Sequence, residues 1–509
     1  MNRACFSKKS KMHEPPFLKT VTSHFCKNFY DIKASKGIFL ILTFSLLINK
    51  SVSCQQEWTL EQCISHAYEN NIQIKMKELN VEYNQNNYRQ SIIGVLPNIY
   101  GNVFYGISQG RVLDQTTYQF TNNQTINSSN FSLGASIVLF NGFQRNNTVL
   151  QNQYNVLASR EDVAKFKNDM GLNIALGYLQ ILLNQELVNT SKEQLAITNL
   201  QLERTKQLVD AGSLPQGSLY EVQSQSASEE LTLVTRQNQF DISTLSLKQM
   251  LELDTVKNFS ILVPDFTNLS IEAVSSYVDD IYKEAERNLP QIRLAEYQLQ
   301  GIEKGLSIAR GGRSPKVVLS ASYGSGYSDA RTRFGSDTAR ILTSPIGFLA
   351  SNPSQLVVYQ HPTTYSISYP FSSQMRDNAN TAVSLSVSIP IFNGWLINNN
   401  ISNAKINVLN SKYQLDYTKK QLYKDIQQAL TDAIASYRQY LASDKAVAYM
   451  QESFRNIQQK YDVGMVNFVD YSTSKNQLTL AQSQMLQAKY SYIFKTKVLE
   501  FYKGGQIKF

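Results

Sequence analysis

The run "AVSLSVSIPIF" alternates strictly. Val383, Leu385, Val387, Ile389 and Ile391 form one set, and Ala382, Ser384, Ser386, Ser388 and Pro390 the other. Period two with one apolar and one small polar face predicts a strand whose two sides meet different surroundings. "NFSLGASIVLF" repeats the pattern, with Phe131, Leu133, Ala135, Ile137 and Leu139 set against Ser132, Gly134 and Ser136. Partner runs stand at "NIYGNVFYGI" (98–107) and "KVVLSASYG" (316–324). Strands are therefore expected near 97–108, 129–141, 315–326 and 381–392. Each is about the 9–11 residues that a tilted membrane strand needs. Four strands cannot close a barrel or a sandwich core, so several chains would have to contribute. The connections inside each strand pair, 111–128 and 327–380, are long and polar, as outer loops of such barrels are.

Elsewhere the period changes to that of a helix. Trp395 to Val463 contains neither Pro nor Gly. Its apolar positions Leu422, Ile426, Leu430, Ala433, Tyr437, Tyr440, Val447, Met450, Phe454, Ile457 and Tyr461 advance by three or four, apart from a gap after Tyr440. That is the seam of a coiled coil. A helix of this length would run ~100 Å at 1.5 Å per residue. Phe143 to Ala211 reads similarly, with Gly171 and Gly177 as interruptions. Both are expected to turn at a glycine, Gly212 or Gly464, and to return as helices over 217–252 and 467–502. Further helices are expected at 58–95 and 277–313. The polar faces carry Gln, Asn and Ser more than Lys and Glu, which suits a water-filled lumen or repeated helix–helix contact.

These elements occur twice. "NIQI" at 71–74 matches "LPQI" at 289–292, an offset of 218 that also sets Pro97 on Pro315. Further on, "LFNGF" (139–143) matches "IFNGW" (391–395) and "DAG" (210–212) matches "DVG" (462–464), an offset of 252. The extra 34 residues fall between Pro315 and Phe392. The chain thus divides into a first repeat over 55–254, a linker over 255–276, a second repeat over 277–503 and a tail over 504–509. Asn141–Gly142 and Asn393–Gly394 supply the turn chemistry between strand and helix.

Charge adds little to this picture once it is located. Residues 1–53 hold nine Lys/Arg and two acids, +7 of the chain's +9. The basic balance therefore does not point to nucleic acid. It marks a long n-region before the apolar run "GIFLILTFSLL" (37–47), so 1–54 reads as an export signal. No later run approaches a membrane helix, which leaves a periplasmic protein or an outer-membrane β-barrel. Cys54 stands at the cleavage point. It is read as incidental or removed, with a lipidated N-terminus as the alternative, and Cys63 is left without a disulfide partner unless Cys54 is kept. Of four histidines, His13 and His24 precede the signal's core, leaving His66 and His361. There is no HExxH, GxSxG, phosphate-binding Gly loop or paired Cys, so no catalytic residue, cofactor or metal is expected.

The order of signal, helix, strand pair, FNG junction, 70-residue helix, Gly turn and return helix, all twice, resembles the TolC-like outer membrane efflux family. The resemblance covers roughly Trp58 to Lys503, including the opening "WTLEQCISHAYENN". It implies an α+β membrane protein: a homotrimer with a 12-stranded outer-membrane β-barrel continued by a periplasmic α-helical barrel. It implies a passive channel for small molecules or polypeptides, in a tripartite efflux or type I secretion system. The partners would be outer-membrane lipid, a periplasmic adaptor and an inner-membrane pump. In that family the hairpin tips form the gate, within a pattern like Y-x-V-G-x-x-x-x-x-D. Here "YDVGMVNFVD" supplies Tyr461, Val463, Gly464 and Asp470. The family's second acid is Thr473 and its tip Arg is Val466. In the first repeat Gly212 matches, Ser218 stands where Asp470 does, and Glu221 follows. Asp470 reads equally as a pore acid, −3 per trimer, or as a first-turn acid favoured by its helix dipole. Gly212, Gly464, Tyr461 and Val463 would form the tip turns and the adaptor contact. A periplasmic coiled-coil adaptor or scaffold without a pore is the alternative.

Overall fold

The computed structural model describes residues 57–113, 118, 120–253, 259–264 and 277–505. The export signal, Cys54, most of the linker and the end of the tail lie outside the described residues. Seventeen elements are defined there. The first repeat runs β1 (Glu57–Trp58), α1 (Leu60–Asn70), α2 (Ile72–Ile93), β2 (Asn98–Leu113), β3 (Phe120–Phe140), α3 (Gln144–Asp210) and α4 (Gln216–Met250). After β4 (Ser260–Ile261) come α5 (Val278–Asn288), α6 (Pro290–Gly311), β5 (Lys316–Ser328), β6 (Thr332–Leu349) and β7 (Asn352–Ser368). Then follow α7 (Phe371–Asp377), β8 (Asn380–Ser388), α8 (Leu396–Asp462) and α9 (Phe468–Tyr502).

The duplication is matched residue for residue in the helices. α1 and α5 have 11 residues, α2 and α6 have 22, α3 and α8 have 67, and α4 and α9 have 35. Two expected single helices are each broken once. Asn71 caps α2, its Oδ1 accepting from the N–H groups of Gln73 and Ile74. In the second repeat Pro290 opens α6, because it has no N–H to lose and Leu289 before it is held extended. Gly171 and Gly177 do not interrupt α3. Gly177 lets α4 close in: a Cβ there would lie 3.0 Å from the Met250 Cε.

Strands β2, β3, β5 and β8 form one antiparallel sheet in that order. The register joins the predicted faces across all four. Ile99 pairs with Ala135, Ala135 with Ala321 and Ala321 with Val383, while Leu319 joins Ile137 to Leu385. On the other face Tyr100 pairs with Gly134, Gly134 with Ser322 and Ser322 with Ala382. One side of the sheet is therefore aliphatic and exposed, with Val103 at 74% and Val383 at 70%. The other is mostly small and polar, with the exposed rings of Tyr100 and Phe104 standing on it from β2. The Tyr100 ring lies over Gly134, where a Cβ would come within 2.5 Å of it. β8 stops at Ser388, short of the expected 392, because Pro390 cannot donate to a ladder.

The long polar connection at 327–380 is structured. β6 and β7 form a separate antiparallel hairpin that takes up the extra length of the second repeat. α7 returns the chain to the sheet. Gln374, fully buried, accepts from the Ser328 N–H and donates to the Ser328 and Tyr369 carbonyls at 3.0, 2.8 and 2.8 Å. Sequence periodicity carries no mark of this segment, because the hairpin alternates weakly and both its faces hold exposed apolar residues.

Two quasi-equivalent cores lie where each short helix meets a long one. Leu60, Cys63 and Ala67 of α1 pack on Ile174, Tyr178 and Leu182 of α3. Ile281 and Ala285 of α5 pack on Ile426, Leu430 and Ala433 of α8. Burial pushes the Cys63 thiol up to about 12, so it is an inert packing group. The Tyr178 hydroxyl lies within hydrogen-bond reach of both the Trp58 and Leu262 carbonyls, which share its one proton, and so holds the parallel pair β1–β4 against α3.

Candidate functional site

Both long helices end in the same way. The Met465 N–H bonds the Lys460 carbonyl at 2.8 Å and the Gly464 N–H bonds that of Tyr461 at 3.0 Å. Ser213 to Leu208 and Gly212 to Val209 repeat this pair at 2.8 and 2.9 Å. These are Schellman caps, which need a left-handed residue, and Gly212 and Gly464 supply φ of 75° and 78°. The chain then re-enters a helix within a few residues. Asn467 caps α9 and its Oδ1 accepts from the Asp470 N–H at 2.9 Å. Asp470 is thus a first-turn acid, where the dipole favours it, and its side chain is also exposed at the tip. Thr473 is exposed one turn later. On the first hairpin Pro215 opens α4 with no acid in its first turn. Ser218 is half-buried there and Glu221 exposed.

Tyr461 turns into the protein. It stacks on Tyr471 at 4.8 Å between ring centroids and accepts a hydrogen bond from Gln201 Nε2 at 2.9 Å. With Phe454, Ile457, Phe468, Tyr471 and Val222 it forms an apolar cluster under the tip. Burial pushes the Tyr471 hydroxyl up to about 12 and raises that of Tyr461. Val463 stays 69% exposed. Of the tip residues, the structure therefore leaves Val463, Asp470, Thr473 and Glu221 at the surface and takes Tyr461 inside.

Beside this cluster the two hairpins of one chain are tied together. Lys475 of α9 is buried, its side chain 3% exposed, and its ammonium donates to Glu229 Oε1 of α4 at 3.0 Å. It also donates to the Gln194 carbonyl at 2.8 Å and to the Thr198 hydroxyl, both on α3. Burial pulls the Lys475 ammonium below the usual lysine range, and the Glu229 carboxylate opposes that. Nearer the tip, Arg204 Nη1 donates to Asp462 Oδ1 at 2.8 Å, and Gln225 Nε2 to Asn476 Oδ1 at 3.2 Å. Sequence reasoning did not single out these contacts. The only local signal was one of asymmetry, since the repeat mate of Lys475 is Gln223 and that of Glu229 is Ala481.

At the other end of the long helices stand the strand-to-helix junctions. Gly142 and Phe143 have φ of 66° and 59°, and Gly394 and Trp395 have 63° and 67°. Left-handed backbone at both central positions, closed by N–H bonds from Gln144 to Asn141 and from Leu396 to Asn393, is a type I′ turn. Asn141 also takes the Arg145 N–H on its side chain at 3.4 Å. Phe140 and Phe143 meet edge to face at 5.5 Å. Gly142 serves a second purpose. A Cβ on it would lie 2.3 Å from the Gly311 carbonyl oxygen, whereas nothing lies within 4 Å of one on Gly394. Among the described residues no cluster of His, Cys, Asp and Glu could hold a metal ion.

Comparison with known proteins agrees with this geometry. The family profile described as "Outer membrane efflux protein" matches residues 63–252 and 281–504, the two repeats. TolC of Escherichia coli K12 is 23% identical over 332 residues, 63% of this chain but only 58% of TolC. The outer membrane efflux protein BepC of Brucella suis is 21% identical over 437 residues, 86% of this chain and 83% of BepC. Among solved structures, CusC superposes with a TM-score of 0.70 at 17% identity, over 88% of this chain and 92% of that one. With both repeats matched, the chain belongs to the outer membrane efflux protein family.

Proposed function

We propose that this chain is one third of a passive outer-membrane efflux channel. The observation that carries the reading is the four-stranded sheet, aliphatic on one face and mostly small and polar on the other, with two open edges. β2 and β8 each lack a strand partner on one side among the described residues, and an exposed edge of this length in a finished protein is paired. Three copies joined β8 to β2 make a closed barrel of 12 strands, with the aliphatic face to lipid and the Ser/Gly face to water. The FNG junctions then sit at the inner membrane face, and the long hairpins continue the lumen into the periplasm. A periplasmic adaptor and an inner-membrane pump hand over the cargo, whether small molecules or polypeptides. A pore-free periplasmic scaffold would have no use for the amphipathic sheet. Purification decides between them: a trimer that needs detergent and shifts on heating supports the channel, and a protein soluble without detergent removes it.

At the mouth of such a channel three Asp470 carboxylates place −3 in a narrow ring. Asp470→Asn is expected to weaken block of the reconstituted channel by a trivalent cation by at least tenfold and to lower its cation selectivity. Unchanged block and selectivity would leave Asp470 as a helix-capping acid only.

A further inference from the structure

We propose that the tunnel's six hairpins are joined by two unlike seams, one strongly pinned inside each chain and one weakly pinned between chains, and that the tip opens at the weakly pinned seams. This rests on the trimer proposed above. In such a ring α9 packs on α3 and α4 of its own chain, as observed. By the repeat, α4 packs in the same manner on α8 and α9 of the partner subunit. Because α3 matches α8 and α4 matches α9 without a gap, the 252-residue offset carries each within-chain contact to its between-chain counterpart.

The strongest pins do not survive that transfer. Lys475 becomes Gln223, Glu229 becomes Ala481 and Thr198 becomes Met450. The buried ammonium with its carboxylate and hydroxyl is replaced by an amide beside a methyl and a thioether. Gln201 and Tyr461 become Ser453 and Val209, which cannot bond; the Arg204–Asp462 ion pair becomes Asn456 and Asp210, at best a single amide hydrogen bond; and only the neutral Gln225–Asn476 contact keeps a like counterpart, Gln477 and Ser224. The junction near the barrel behaves alike. Gly142 approaches Gly311 so closely that a Cβ on Gly311 would lie 2.4 Å from the Gly142 carbonyl oxygen. The repeat mate of Gly311 is Ile93, so the equivalent approach of Gly394 to the partner's Ile93 is sterically barred. Polar links at the tip and contact distance at the junction, two independent observations, both make the within-chain seam the tighter one. Each chain's two hairpins then move as one body, and three bodies part from one another.

Two charge-reversing variants separate the seams. Asn456→Asp sets a carboxylate against Asp210 of the partner subunit. Arg204→Glu sets one against Asp462 of its own chain, with Lys475 and Glu229 left in place. The readout is resting conductance of purified trimers in planar lipid bilayers. Asn456→Asp is expected to raise it several-fold and Arg204→Glu far less. A response to Arg204→Glu as large as that to Asn456→Asp, or no response to either, overturns the proposal. The assembly itself is checked apart from the gate. On oxidation, N456C/D210C is expected to link chains covalently, and R204C/D462C to leave single chains. Absence of the interchain link, or a detergent-purified protein that is not trimeric, would fault the trimer rather than the seam.

Discussion

Glu229→Ala is expected to destabilise the hairpin pair by about 3–5 kcal/mol, the cost of leaving a buried charge without its counter-charge. The Lys475 side chain is 3% exposed and that of Glu229 12%, so water does not replace the lost carboxylate. The remaining partners, the Gln194 carbonyl and the Thr198 hydroxyl, are neutral acceptors and cannot balance an ammonium. The result would be read as a lower urea midpoint for loss of helical circular dichroism in detergent. Removing both charges should be far milder. Lys475→Met with Glu229→Leu keeps volume and leaves no ion behind, and such replacements are often neutral or stabilising. A double-mutant cycle then isolates the coupling. A Glu229→Ala protein within about 0.5 kcal/mol of the parent, the ordinary range for a surface substitution, would show that the pair holds nothing together.

Gly142→Ala is the second large effect, and Gly394→Ala is its internal control. Both place a Cβ on left-handed backbone, a strain of about 1–2 kcal/mol. Gly142→Ala adds a backbone collision at 2.3 Å with Gly311, which neither side can relieve by a rotamer change. It should lower the yield of heat-stable assembled protein severely, whereas Gly394→Ala should shift the melting temperature by only a few degrees. Equal behaviour of the two would mean that the Gly142–Gly311 approach is not a requirement of folding.

The architecture was legible because its periods are long and uninterrupted. Seam positions from Leu422 to Tyr461 are buried or half-buried in α8 except Met450, which is exposed, and Ser443, half-buried, fills the gap after Tyr440. The alternate sets of 382–388 fall on opposite faces of a sheet whose register extends both sets across four strands, while 389–391 lie past the end of β8. The connection expected at 111–128 is largely strand, with β2 running to Leu113 and β3 starting at Phe120, because the ladder continues past the stretch that alternates apolar and polar. Two further kinds of feature escaped. The β6–β7 hairpin and α7 are held by particular contacts such as the Gln374 amide on Ser328, which leave no period behind. The ties between hairpins escaped because Lys475 and Glu229 are 246 residues apart in the chain, and each alone reads as an ordinary charge on a polar helix. Tyr461 was legible as a tip residue by position, but its inward stacking on Tyr471 needed the second helix to be seen.

The equal helix lengths of the two halves also set where this chain can change. One residue inserted in α3 or α8 would turn everything beyond it by about 100° and advance it by 1.5 Å. The Lys475 site and both tip caps would lose registry at once. The halves differ in length only where the β6–β7 hairpin stands, joined at its tip by Ala350 and Ser351. Length variation among relatives, and any epitope an experimenter wishes the protein to carry, belong at that tip.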